Sequence, residues 1–312
     1  MMMENKLKVL FCYLAYPFAI ASYFRQAFER RYDIDLQTMG AYTGDWLPWN
    51  NGMSLPYKYV RPVDFAFNRD IVNPSWEMAK RFAGDRFFVQ PDIVVQVDAG
   101  WHFKNRPNVD CVITVATDPH VLDYSVPRGY SDYFFNMQQF YSQPGDRYLP
   151  YAADTYHHYP LITMPKTVDC CLIGLHYPQR DNLVNAIRSA GYTVQYDLGL
   201  IYGEYREANN QAMIGLNWSS LSDLPARVFE IMAMGLVCVT NRVPDLPLHF
   251  QEGKHYLAFD TVSEAVEKVR WVKEHPEEAA QIAQAGYEEV VFKHTYDLRV
   301  SRILATYVDN LH

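Results

Sequence analysis

The chain has 312 residues, 49% of them hydrophobic and 21% charged, a globular composition with room for two domains of ordinary size. With 28 basic and 36 acidic residues its formal charge is −8, so it lacks the basic footprint of a general nucleic-acid binder. The apolar start, "MMMENKLKVLFCYLAYPFAIASYF", is too interrupted to span a bilayer and has no small-residue cleavage site, so a first strand and helix and a cytoplasmic location are expected.

In chain order, "KVLFCYLAY" (Lys8–Tyr16) predicts a buried strand. "FAIASYFRQAFERR" (Phe18–Arg31) predicts a helix, with Ile20, Phe24 and Phe28 at helical spacing and its "FRQAFERR" part a solvated face. "YDIDLQTMG" reads as a second strand, and residues 41–73 read as loop. "NPSWEMAKRFAG" reads as a helix, with Pro at its start and Gly at its end. Two buried-type strands follow, "PDIVVQVDAG" (Pro91–Gly100) and "VDCVITVATDPH" (Val109–His120), then a weaker one, "DYFFNMQQFY".

"YLPYAADTYHHYP" (Tyr148–Pro160) punctuates the chain, with His157 and His158 expected in solvent. After it the pattern restarts: "VDCCLIGLHY" as strand, "RDNLVNAIRSAG" as a helix ending at Gly191, "YTVQYDLG" as strand and "YREANNQAMIG" as helix. "ARVFEIMAMGLVCVT" runs from helix to strand. "TVSEAVEKVRWVKEHP" opens on a capping-box pattern, Thr261 with Glu264, and two more helices complete the tail. Strands alternating with helices predict two parallel-sheet domains. The five cysteines all lie in strand-like runs, so buried free thiols are expected.

In the segment from Ala226 to Thr240, Arg227 and Glu230 interrupt an otherwise apolar helix, three residues apart and so on one face. Buried charges need partners. Either the two pair with each other, or Glu230 accepts from two vicinal sugar hydroxyls while Arg227 and the helix N-terminus hold a phosphate.

"LNWSSLSDLPARVFEIMAMGLVCVT" resembles the donor-site segment of GT-B glycosyltransferases of group 1, in particular the spore-maturation (CgeB-like) branch. The resemblance rests on Leu216-Asn217, Arg227-Val228-Phe229-Glu230 and Gly235, with "LPYAAD", "IGLHYPQR", "FQEGKHYLAFDT" and the tail "AQAGYEEVVFKHTYDLRVSRIL". It covers residues 148–306 well and the first half only in architecture.

It implies an α/β fold of two Rossmann-like domains facing a cleft (GT-B), with a C-terminal helix crossing back to the first. The domains are residues 1–160 on the acceptor side, 161–290 on the nucleotide-sugar side, and 291–312 for the returning helix. It also implies that Glu230 binds the ribose of a nucleotide-diphosphate sugar, UDP-sugar favoured, and that Arg227 lies near its diphosphate. Gly174, Arg180 and Asn217 complete the expected donor site; Asn217 has alternative roles as orienter of its loop or as a turn former ending a strand, and Arg180 as an ordinary helix-start residue. Where many relatives carry a second Glu, eight residues upstream, this chain has Ser222 beside Asp223.

Asp118 and His120 are the candidate catalytic groups, at the end of a first-half strand. Asp98, Trp101 and His102 are acceptor-side candidates, and a turn capped by Asp118 is the plainer alternative. With no Asp-x-Asp motif, and with arginines and a helix N-terminus near the diphosphate, no metal and no cofactor beyond the donor substrate is expected. The acceptor is a hydroxyl of a polysaccharide, a small molecule or, less favoured on charge, a modified DNA base. A catalytically silent carbohydrate-binding or structural protein, or a nucleotide-sugar epimerase, are the alternatives.

Overall fold

The computed structural model describes residues 6–15, 19–42, 46–48, 54–56, 61–68, 73–84, 91–97 and 101–308. The chain divides into two compact units. One is the chain up to Pro150 together with the C-terminal stretch from Arg299; the other is Tyr151–Leu298.

The first unit carries β1 (Leu7–Cys12), α1 (Ile20–Glu29), β2 (Ile34–Tyr42), β3 (Trp46–Pro48), β4 (Ser54–Pro56), β5 (Phe65–Asn68), α2 (Trp76–Ala83), β6 (Ile93–Val97), β7 (Cys111–Ala116), α3 (Ser125–Tyr130), β8 (Tyr133–Asn136) and β9 (Arg147–Tyr148). Its main sheet has the order β5-β2-β1-β6-β7-β8-β9, and every pairing in it is parallel. Strands β6 and β7 are buried along their whole length, which is why they read as continuous apolar runs rather than alternating ones.

Three sequence expectations change here. Within 41–73, read as loop, Phe65–Asn68 forms β5 and extends the sheet beside β2. "DYFFNMQQFY" is a strand only to Asn136; Gln139–Tyr141 is a single 3₁₀ turn. Arg25 does not lie on a solvated face. It is buried, and its Nη1 donates to Tyr13 Oη at 2.7 Å and to the Arg61 carbonyl at 3.1 Å, while Nε donates to Glu29 at 3.0 Å, because a charge taken out of water must be paired.

The second unit carries β10 (Val168–Ile173), α4 (Pro178–Ser189), β11 (Val194–Asp197), α5 (Tyr202–Asn210), β12 (Ala212–Asn217), α6 (Ala226–Ala233), β13 (Val237–Asn241), β14 (Leu257–Phe259), α7 (Val262–Glu274) and α8 (Pro276–Lys293). Its parallel sheet runs β11-β10-β12-β13-β14. The last four residues of "YREANNQAMIG" are strand, not helix. Gln211 closes α5 and Ala212 opens β12, a central strand buried at every position but Met213.

Helices α4 and α6 both end in the hydrogen-bond pattern that glycine favours. In α6, Gly235 N donates to Met232 O and Leu236 N to Ile231 O. In α4, Gly191 N donates to Arg188 O and Tyr192 N to Ile187 O. Thr261 caps α7 by accepting from Glu264 N, and Glu264 reaches back to Asp260 N at 2.8 Å. All five cysteines are free and buried.

The last helix, α9 (Tyr296–Val308), belongs to the first unit from Arg299 onward. There Arg299 Nε donates to the Pro150 carbonyl at 2.7 Å and Arg31 Nη1 donates to Ser301 Oγ at 3.0 Å. Among the described residues, no helix is long and apolar enough to cross a membrane.

Candidate functional site

In the second unit the chain goes from β10 outward to β11, then returns to place β12 on the other side of β10. The strand order reverses between β10 and β12, and in such sheets ligands bind beyond the carboxyl ends of the strands at that point. Those ends are Ile173-Gly174 and Asn217-Trp218, and four of the five sequence-predicted donor residues meet there.

Gly174 has a φ of +151°, a conformation that side-chain-bearing residues rarely adopt. A Cβ at this position would stand 2.3 Å from Arg227 Nη2 and 3.1 Å from Arg180 Nη1, so the absent side chain is what lets two guanidiniums converge over the backbone.

Arg227 Nε donates to the Ile173 carbonyl and Nη1 to Asn217 Oδ1, both at 2.9 Å, while Nη2 has no hydrogen-bond partner among the described residues. Arg180 is buried. It donates to the Trp218 carbonyl from Nε and Nη2 and to the Leu175 carbonyl from Nη1, and it lies over the Tyr177 ring at 4.3 Å. Burial, and then the neighbouring Arg227 charge, pull the Arg180 pKa down to about 10. Neither arginine has a carboxylate within ion-pair distance among the described residues. Two cations held by neutral carbonyls, one with an open donor face, make a site built for an anion.

Asn217 corrects its expected role as a donor contact. It is fully buried, and its two amide ends are spent on Arg227 Nη1 and on Thr240 Oγ1 at 2.9 Å. It therefore orients Arg227 and reaches a ligand only through it.

Helix α6 delivers Arg227 and Glu230. It lies close against β12 because Gly215 has no side chain; a Cβ there would meet Ile231 Cγ2 at 2.4 Å. Glu230 and Arg227 form no ion pair with each other among the described residues, so the first of the two sequence readings falls. Instead Tyr205 Oη donates to Glu230 Oε2 at 2.8 Å, and His158 Nε2 lies 3.9 Å from Oε1. Burial raises the Glu230 pKa, opposed by the Tyr205 hydrogen bond and by the Arg227 charge.

His158 was expected in solvent and is instead fully buried, since its ring packs edge-on against Tyr205. Burial lowers its pKa to about 3, so it stays neutral at pH 7 and the 3.9 Å approach is not an ion pair. Sequence reasoning also missed Tyr205, whose only signal is its place on the buried face of α5 with Ala208 and Asn209.

At the position of the upstream acidic residue, Ser222 has a φ of +58°. Asp223 beside it accepts from Ser219 Oγ, so its carboxylate is engaged by its own loop.

In the first unit, Asp118 follows β7. Its Oδ2 accepts from Thr117 Oγ1 at 2.8 Å, and its carbonyl accepts from Val121 N and Leu122 N, so Asp118 opens a turn. His120 faces Tyr141 with ring centroids 5.5 Å apart, and its buried Nδ1 has no hydrogen-bond partner among the described residues. His102 is half-buried, with Nδ1 2.9 Å from the Phe103 carbonyl.

Trp101 corrects its acceptor-side expectation. It is 1% exposed, edge-on to Phe103 at 5.1 Å, and part of the apolar core; an indole is large enough that a core position at the end of a buried strand captures it. Asp98 lies outside the described residues.

Residues 162–305 match the family described as glycosyl transferase-like. Solved structures agree on the fold across nearly the whole chain. The Anabaena protein HepE in complex with UDP and glucose superposes with a TM-score of 0.66 at 10% identity, over 97% of this chain and 100% of that one. Sucrose-phosphate synthase from Thermosynechococcus elongatus gives 0.64 at 12% identity, over 97% and 99%. An α-glucosyltransferase in complex with UDP and a 13-mer DNA containing an HMU base gives 0.60 at 12% identity, over 96% and 99%. A comparison with curated proteins finds no match. The chain has the GT-B fold, and the arginine pair sits at the switch point of the second sheet.

Proposed function

We propose that the protein is a glycosyltransferase that moves a sugar from a nucleotide-diphosphate sugar, UDP-sugar favoured, to a hydroxyl acceptor. The observation that carries this reading is the convergence of Arg180 and Arg227 over Gly174, without a carboxylate partner among the described residues, one helical turn from a carboxylate whose Oε1 has no donor within hydrogen-bond range among those residues. A diphosphate fits the first feature and a ribose diol the second.

Arg227 Nη2 and the N-terminus of α6 take the diphosphate, and stabilise it as charge develops on it during sugar departure. Arg180 adds positive potential while tying the loop after β10 to Trp218. Glu230 accepts from the ribose hydroxyls. This charge balance needs no divalent ion, so transfer is proposed to be metal-independent. Asp118 and His120 are the proposed acceptor-side groups. The Nδ1 of His120, which has no hydrogen-bond partner among the described residues, favours His120 as the base, because Asp118 already holds Thr117 Oγ1.

HepE and the α-glucosyltransferase were both solved with UDP, which favours uridine as the nucleotide here. The motifs quoted from residues 148–306 support placement in the spore-maturation branch. The charge of −8 favours a carbohydrate or small-molecule acceptor over DNA.

Titration calorimetry with UDP-, GDP- and TDP-sugars tests the reading. UDP-sugar binding that is weakened by Arg227→Ala is expected; no heat with any of the three overturns it.

A further inference from the structure

Resting on the donor-site reading above, we infer that Tyr205 is a positioning residue for nucleotide recognition: its hydroxyl occupies one oxygen of Glu230 and so dedicates the other to the ribose diol. Tyr205 and Glu230 sit on different helices, α5 and α6, 25 positions apart, and the phenol is buried with Glu230 Oε2 as its hydrogen-bond acceptor at 2.8 Å. A free carboxylate rotates about its last torsion and offers either oxygen. One that receives a fixed donor on Oε2 does not. Burial, and then the nearby Glu230 charge, raise the Tyr205 pKa, so the phenol remains protonated and can only donate to the carboxylate.

His158 forms the second wall. Its Nδ1 accepts from Asp154 N at 3.3 Å, which leaves the proton of the neutral ring on Nε2, facing Glu230 Oε1. At 3.9 Å that approach is too long for a hydrogen bond, so Oε1 keeps its acceptor capacity. The His158 ring meets the Tyr205 ring edge-on, with centroids 5.7 Å apart, and thereby fixes the phenol that fixes the carboxylate.

The arrangement presents one carboxylate oxygen in one orientation, and the chemistry it selects is a vicinal diol. A nucleotide lacking both ribose hydroxyls has nothing to offer Oε1. Tyr205→Phe keeps the ring and its packing on His158 and removes only the hydroxyl.

The test measures, by calorimetry, wild type, Glu230→Gln and Tyr205→Phe against UDP and 2′,3′-dideoxy-UDP, with melting curves to check folding. Wild type is expected to prefer UDP. Tyr205→Phe is expected to lose about tenfold in UDP affinity, as for one hydrogen bond to a charged group, with the affinity for the dideoxy nucleotide unchanged. Equal weakening toward both nucleotides assigns Tyr205 a merely structural role and overturns the inference. A full wild-type preference retained in Tyr205→Phe but lost in Glu230→Gln overturns it while leaving the donor-site reading standing. No preference in wild type sinks the donor-site reading itself. If Tyr205→Phe does not fold, a crystal structure of wild type with UDP decides. The ribose hydroxyls on Oε1 with Tyr205 still on Oε2 support the inference, and a phenol turned away from Glu230 refutes it.

Discussion

Replacing Glu230 by Gln separates two roles that one buried carboxylate combines. In the folded protein burial raises its pKa, so the fold favours the protonated form. The sign follows from linkage: a folded pKa above the unfolded one contributes stability at pH values below the unfolded pKa, and that contribution is lost as pH rises through the folded value. At neutral pH the ionised side chain is therefore a burden on the fold, and the neutral amide removes it. Tyr205 can still donate to the amide oxygen, so the 2.8 Å hydrogen bond survives.

Binding moves the other way. In the proposed complex two ribose hydroxyls donate to a charged acceptor, and charged hydrogen bonds are roughly twice as strong as neutral ones. With Tyr205 holding the amide oxygen, the NH2 group takes the place of Oε1 and cannot accept, so both ribose hydrogen bonds are lost, at a net cost of about 1 kcal/mol each. The sum of about 2 kcal/mol corresponds to ~30-fold weaker UDP binding. Thermal melting and titration calorimetry on the same preparation check both halves. An unchanged UDP affinity, or a melting temperature several degrees lower, refutes the reasoning.

Gly174→Ala adds a Cβ 2.3 Å from Arg227 Nη2 at a φ of +151°, and is expected to weaken UDP binding by about tenfold or more through displacement of the guanidinium; calorimetry checks it. Asn217→Ala strips Arg227 Nη1 and Thr240 Oγ1 of a buried partner, with an expected stability loss of about 1–3 kcal/mol in urea unfolding and a parallel loss of UDP affinity. Thr261→Ala removes the cap of α7 and is expected to cost about 1 kcal/mol in the same unfolding assay while leaving UDP affinity unchanged. Because its pKa is raised, Glu230 takes up a proton at a higher pH than an ordinary glutamate, so UDP affinity in wild type is expected to fall on acidification earlier than a free carboxylate would allow, and to lose that acidic limb in Glu230→Gln.

Local chemistry was legible in the sequence wherever neighbours along the chain decide it. Apolar runs marked β6, β7, β10 and β13, because strands of a parallel sheet are covered on both faces. Gly191 and Gly235 marked the ends of α4 and α6, and Thr261 with Glu264 marked the start of α7, because caps are set within a few residues. Arg227 and Glu230 stood out as charges on a buried helix face. Their partners did not, because those come from elsewhere in the chain: Ile173 and Asn217 from strand ends, Tyr205 from α5 and His158 from the stretch before β10. Only the tertiary structure put Asn217 behind Arg227, buried His158 beside Glu230, and drew Trp101 into the core. Composition and spacing report what a segment tends toward, while the destination of a polar atom depends on which strand ends the parallel sheet brings side by side.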